Sequence, residues 1–210
     1  MSDEIKNPFI EGDKNMDIKE LDQLDEKVFE LKKQFLGYVK GIERPGMDNL
    51  LKWLDESGFY KAPASSRYHL AEEGGLVEHT LNVVDVALKF NESLDRPVDE
   101  ESLILSCLFH DLGKHQYFGK DFYSKKPLLK SGKEPAQPYE RNKDLISVPH
   151  EISSVHILSR FIELTEDETW AILQHNGMYS DLKYQLQGKE TQLQMLVHWA
   201  DMWASRVIEG

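Results

Sequence analysis

The chain has 210 residues, 40% of them hydrophobic, a formal net charge of −12 and a single cysteine, Cys107. That length fits one ordinary domain with a buried core. The charge argues against a broadly basic surface that coats nucleic acid, and one cysteine excludes an internal disulfide.

The first 15 residues are polar and read as a loose tail. They lack the basic and apolar regions of a signal peptide. No apolar run reaches the ~20 residues of a membrane span, so a soluble, cytoplasmic protein is expected. From Asp17 a helix is expected, with Asp17 and Glu20 as a capping box and Leu21, Leu24, Val28, Leu31, Phe35 and Val39 at helical spacing. Gly41 and Pro45 end it. A shorter helix around Leu50–Leu54 closes at Gly58. A loop carrying Arg67 and His69 then leads to Gly74-Gly75 and an amphipathic run from Leu76 to Phe90. His79 falls on the apolar side of that run.

Asp99 caps the next helix, which runs through LILSCLF into FHDLGK, Phe109 to Lys114. Cys107 in this run reads as a small buried hydrophobe. His110 and Asp111 can bind one metal ion together, and Lys114 shares their face if the helix continues. From 115 to 149 the pattern breaks, and a hairpin or lid is expected, with Leu145, Ile146 and Val148 extended. Its lysines and its aromatics Tyr117, Phe122, Tyr123 and Tyr139 suggest a cover that stacks a base. Helical spacing resumes at His150. Thr165 and Glu168 form a capping box for a helix that stops at Gly177. A tyrosine-rich link and a final helix through Leu193–Trp203 follow.

The fold class is therefore all-α, a helical bundle with a small extended or hairpin insertion. The chain divides into a flexible tail (1–15), an N-terminal helical segment packed on the bundle (16–58) and a main domain (59–210) with its insertion at 115–149. The N-terminal helix could also mediate a homo-oligomer.

Six residues carry potential metal chemistry: His79, His110, Asp111, His150, His175 and Asp201. Imidazoles and carboxylates suit Zn, Fe, Mn, Ni or Co, and bundle cores hold such sites. Three of them also have a plainer reading: His79 as a core histidine, His175 at a helix C-terminus, Asp201 paired with a neighbour such as His198. Spacing alone leaves the two readings level.

The order GGLVEHT, FHDLGK, PHEISS, LQHNG, HWADMWASR resembles the HD superfamily of metal-dependent phosphohydrolases over roughly residues 60–208. The stretch SSRYHLAEEGGLVEHTLNVV is similar to the HD domains of bacterial 3′–5′ exoribonucleases and of small phage-type HD hydrolases. The resemblance implies that His79, His110, Asp111 and Asp201 hold one divalent ion. His150 and His175 would share a second with Asp111. Mn, Fe, Ni, Co, Zn or Mg would serve. Two ions ~3.5–4 Å apart can activate a water and clamp a phosphoryl oxygen. Lys114 would then neutralise the phosphate, with Arg67, His69 and Arg206 as substrate contacts. The substrate expected is a nucleotide or short oligonucleotide, because the acidic N-terminal helix is no OB barrel for long RNA. The alternatives are a 3′–5′ exonuclease, an HD-fold di-iron oxygenase and a non-catalytic nucleotide-binding protein.

Overall fold

The computed structural model describes residues 18–210, with side chains from residue 26 onward. The expected tail over 1–15, the Asp17–Glu20 capping box and the Leu21 and Leu24 side chains lie outside the described residues and side chains. Eight α-helices are described: α1 (Ile18–Val39), α2 (Met47–Ser57), α3 (Gly75–Glu92), α4 (Glu100–Phe109), α5 (His150–Leu158), α6 (Glu166–Leu173), α7 (Lys183–Leu186) and α8 (Gln192–Trp203). Four short strands lie between α4 and α5: β1 (Gln116–Tyr117), β2 (Lys120–Asp121), β3 (Tyr123–Lys125) and β4 (Tyr139–Arg141).

Helix α4 is buried from Leu103 through Phe109, Cys107 included. A helix apolar on all sides has to sit inside, and α4 packs against α3, α6 and α8. Asp99 caps its start, accepting from the Ser102 amide at 2.9 Å. Burial pushes the Cys107 thiol pKa up, so this sulfur stays protonated and inert. Helix α1 lays Phe35 on the bundle, edge-on to Phe59, Tyr60 and Phe109 with ring centroids 5.5, 5.7 and 5.8 Å away.

Arg44 ties the N-terminal helices to the rest. Its Nη2 donates to Glu168 Oε1 at 2.7 Å and its Nε to Glu101 Oε1 at 2.5 Å. Glu168 is fully buried, also accepts from Ser102 Oγ at 2.8 Å, and completes the Thr165 capping box of α6. Stripping a partner from a fully enclosed charge costs about 3–5 kcal/mol, so this cluster pins the starts of α4 and α6 to the α1–α2 link.

Several expectations need correction. Helix α4 does not run through FHDLGK. It ends at Phe109, and Leu112–Lys114 form a separate 3₁₀ turn. Helix α6 stops at Leu173 rather than Gly177, which leaves His175 in the following turn. The tyrosine-rich link contains the short α7. Leu145, Ile146 and Val148 form no strand, because none has a partner strand and Ile146 is exposed. The strands are β1 against β2 and β3 against β4, both antiparallel. The first pair is joined by Phe118-Gly119, both at positive φ as a primed two-residue turn requires.

The insertion meets the expectation of an aromatic, basic cover only in part: Tyr123 is half-buried within electrostatic reach of Lys114 and Asp111, but its neighbours turn elsewhere. Phe122 and Tyr139 are buried, and Tyr117 packs on Phe118 and His156. Lys125 and Lys143 pair with Glu134 and Glu140 of the same segment. Among the described residues no helix is long and apolar enough to cross a membrane.

Candidate metal centre

Asp111 lies at the point where the helices converge. His79 comes from the second turn of α3, His110 and Asp111 from just beyond the end of α4, and His150 from the first residue of α5. His175 follows α6, and Asp201 comes from the last turn of α8. The structure brings all six together. Asp111 Oδ2 lies 3.6 Å from His79 Nε2 and 3.5 Å from His110 Nε2. Its other oxygen, Oδ1, lies 3.1 Å from His150 Nε2 and 3.4 Å from His175 Nε2. Asp201 Oδ1 is 3.2 Å from His79 Nε2. One carboxylate thus faces a pair of imidazoles with each oxygen.

Gly113 is the reason α5 can come this close. A Cβ there would meet the His150 carbonyl oxygen at 2.3 Å, Ser153 Oγ at 2.4 Å and the Ser154 nitrogen at 2.9 Å. Instead the Gly113 amide donates to Ser154 Oγ, and that hydroxyl donates to the His150 carbonyl, both at 2.8 Å. Glycine in FHDLGK is a steric requirement for bringing His150 to Asp111.

The imidazoles are set to present bare nitrogens inward. His110 Nδ1 donates to the Cys107 carbonyl at 2.8 Å and His175 Nδ1 to the Ile172 carbonyl at 2.7 Å. His150 Nδ1 lies 3.3 Å from Glu151 Oε2 and His79 Nδ1 3.0 Å from Glu209 Oε2. Every outer nitrogen faces an acceptor and so carries the proton, which leaves each Nε2 lone pair aimed at the centre. His79 Nε2, His110 Nε2 and Asp111 Oδ1 are buried without a hydrogen-bond partner. Unpaired buried acceptors on this scale are costly, and a divalent cation is the group that satisfies nitrogen and oxygen donors together. The residues fit a metal. Three-ligand sets with their atoms within 4.8 Å are His79–His110–Asp111, His110–His175–Asp201 and Asp111–His150–His175.

Electrostatics set the charge state of the centre before a cation binds. Burial alone would raise the Asp111 pKa, but Lys114 and His110 hold it well below the usual carboxylate range. Burial likewise works against a charged His79, yet the Asp201 and Glu209 carboxylates raise its pKa to about 10, so before a cation binds the ring also carries a proton on Nε2, which a metal ion has to displace. Lys114 reaches Asp111 Oδ2 at 2.7 Å from the 3₁₀ turn. Lys114 thus shares a face with Asp111, through a turn rather than a continued helix.

A cavity of about 920 Å³ opens on this cluster, lined among others by Arg67, His69, Lys114, His198, Asp201 and Arg206. The three substrate candidates Arg67, His69 and Arg206 thus share one wall system with Lys114. Burial and the nearby His79 lower the His69 pKa and keep that ring neutral. No residue of 115–149 lines the cavity among the described residues. His115 and His156 lie elsewhere, against Trp53 and Tyr117, and His198 Nδ1 donates to the His175 carbonyl at 2.6 Å.

Two contributors escape a sequence reading. Asn176 Nδ2 donates to Glu151 Oε1 at 2.9 Å and sits 3.1 Å from His175 Nε2. Its only signal is adjacency to His175. Glu209 reaches His79 from beyond the last helix and leaves no periodic signal at all.

The family model described as HD domain matches residues 76–203. A dihydroneopterin 2′,3′-cyclic phosphate phosphodiesterase of Methanocaldococcus jannaschii is 32% identical over 99 residues, which cover 44% of this chain and 38% of that protein. The match thus spans under two fifths of the relative's length. No solved structure matches the chain significantly.

Proposed function

The chain belongs to the HD-domain family, and from that premise we propose that it is a metal-dependent phosphohydrolase acting on a phosphoester or phosphodiester bond of a nucleotide or short oligonucleotide. The observation that carries the reading is Asp111, whose Oδ1 faces His150 and His175 while Oδ2 faces His79 and His110. In this reading His79, His110, Asp111 and Asp201 hold one divalent ion, and His150 and His175 hold a second with Asp111 shared. Such ions supply Lewis-acid activation of water and of a phosphoryl oxygen.

The protein's own side chains do the rest. Lys114 places a fixed ammonium at the inner wall of the cavity, where it offsets charge gathering on phosphoryl oxygens. Arg67 and Arg206 are exposed on the same cavity and offer planar donors to phosphate. His69, held neutral, is placed to hydrogen-bond a departing oxygen. A cavity of about 920 Å³ is of the size that encloses a small molecule, which favours a nucleotide over a long polymer. The archaeal relative, a dihydroneopterin 2′,3′-cyclic phosphate phosphodiesterase, supports a phosphodiester substrate.

The test is metal analysis joined to a phosphate- and nucleotide-product screen with Mn, Co, Ni, Mg and Fe(II). The expected result is two ions per chain, turnover of a phosphoester, and loss of both in Asp111→Ala. Full metal content and activity in that variant would refute the proposal. Oxygen consumption with iron and no phosphate release would favour the oxygenase alternative. Tight nucleotide binding without turnover would favour a non-catalytic binder.

A further inference from the structure

The strongest unassigned feature is the carboxylate of Glu209, six residues beyond the matched family region. Both its oxygens lie close to His79 Nδ1, Oε1 at 3.1 Å and Oε2 at 3.0 Å. Asn82, one turn along α3 from His79, donates to Oε1 at 2.9 Å. The Glu209 side chain is 2% exposed and that of His79 is fully buried. A carboxylate this enclosed persists only where it is hydrogen-bonded, and here both partners come from α3.

Local backbone geometry explains how it gets there. Asp201 and Glu209 both reach His79, Asp201 at Nε2 and Glu209 at Nδ1. They lie eight residues apart on one helical rod. An uninterrupted α-helix would leave them about 80° apart around its axis. Ala204–Ile208 is instead a π-helical turn, in which the Glu209 amide donates to the Ala204 carbonyl at 3.0 Å. Each residue of this wider turn advances less around the axis, and the offset closes. Such turns mark functional sites often enough to ask what this one places.

We infer that Glu209 is a positioning residue that holds His79 through Nδ1 so that its Nε2 lone pair faces the metal centre. The inference rests on the metal-binding reading above. Glu209 fixes the tautomer, stops the ring from rotating, and makes Nε2 a better donor. Carboxylate partners of ligating histidines typically contribute 10–100-fold to metal affinity. His69, His79 and Glu209 are also close enough to hold an ion among themselves. That alternative would take the His79 Nδ1 proton that the central arrangement uses, and it requires a third ion.

The test is titration of the full chain with Mn(II) or Co(II), resolving each binding event, in wild type, Glu209→Gln and Glu209→Ala. Glu209→Gln keeps the shape and an acceptor oxygen, so it guards against simple misfolding. Wild type should bind two ions. Glu209→Ala should bind one of them 10–100-fold more weakly and keep the other, and Glu209→Gln should show a smaller loss at that same event. A purely structural role would weaken both events alike. Wild-type affinities in both variants, equal loss of both ions, or a third ion lost on mutation would each overturn the inference. No metal binding by wild type itself would instead sink the underlying metal-site reading.

Discussion

His115 gives the sharpest quantitative test of this packing. Its ring stands edge-on to Trp53 and Phe59, both centroids at 5.8 Å, and Nε2 lies 3.0 Å from Ser57 Oγ. Burial lowers its pKa to about 4, against a weaker opposing effect of the Ser57 contact. In the unfolded chain the same ring titrates near ~6.5. Between those values the unfolded state takes up a proton that the folded state refuses, so unfolding becomes easier as pH falls. The contribution of His115 is whole above about pH 6.5 and is lost as pH drops toward 4. At ~1.4 kcal/mol per pH unit the window amounts to about 3 kcal/mol. His115→Gln removes the titration while keeping a polar group that can reach Ser57. Urea unfolding of both proteins at matched ionic strength, from pH 7 to pH 4, should show the wild-type advantage shrinking by about 3 kcal/mol. Parallel profiles would refute the burial argument.

Two further outcomes follow from the centre itself. Gly113→Ala should displace His150 and weaken one metal-binding event by ten-fold or more on the scale of a misplaced ligand, and calorimetric titration reads it. Lys114→Ala should lower kcat about 10²–10³-fold, the scale of one lost charge-stabilising donor, with metal content unchanged by elemental analysis.

The six central side chains stood out as ligand-capable groups in or beside helices, but spacing alone left the metal and plainer readings level, and their grouping into one site came from the resemblance. Asp201 is an acid within a run of apolar residues, and His79 sits on the apolar face of α3. FHDLGK places an acid and an imidazole at the end of a helix with no polar side. Periodicity reports burial, and burial of a charge demands a partner. Elements whose meaning depends on three-dimensional pairing were not legible. Lys125 and Lys143 read as part of a basic cover because their partners, Glu134 and Glu140, belong to the same segment and meet them only across turns. The aromatics there looked available for stacking because the bend that buries Phe122 and the strand pairing that buries Tyr139 leave little trace in two- and three-residue strands.

Glu209 shows the same limit at the other end. It follows Arg206, Val207 and Ile208, all exposed, and by pattern alone belongs to a solvated helix end. Only the π turn, which no spacing rule encodes, swings it onto His79. The glycine of FHDLGK was visible as a letter, yet its reason lies 37 residues away, in the carbonyl of His150. The candidate ligands are thus written locally, in or just beyond α3, α4, α5, α6 and α8, while their alignment is written in contacts between distant segments. A centre whose lone pairs all converge on one aspartate needs both, and substitutions at Gly113 or Glu209 separate the two by leaving every expected ligand in place.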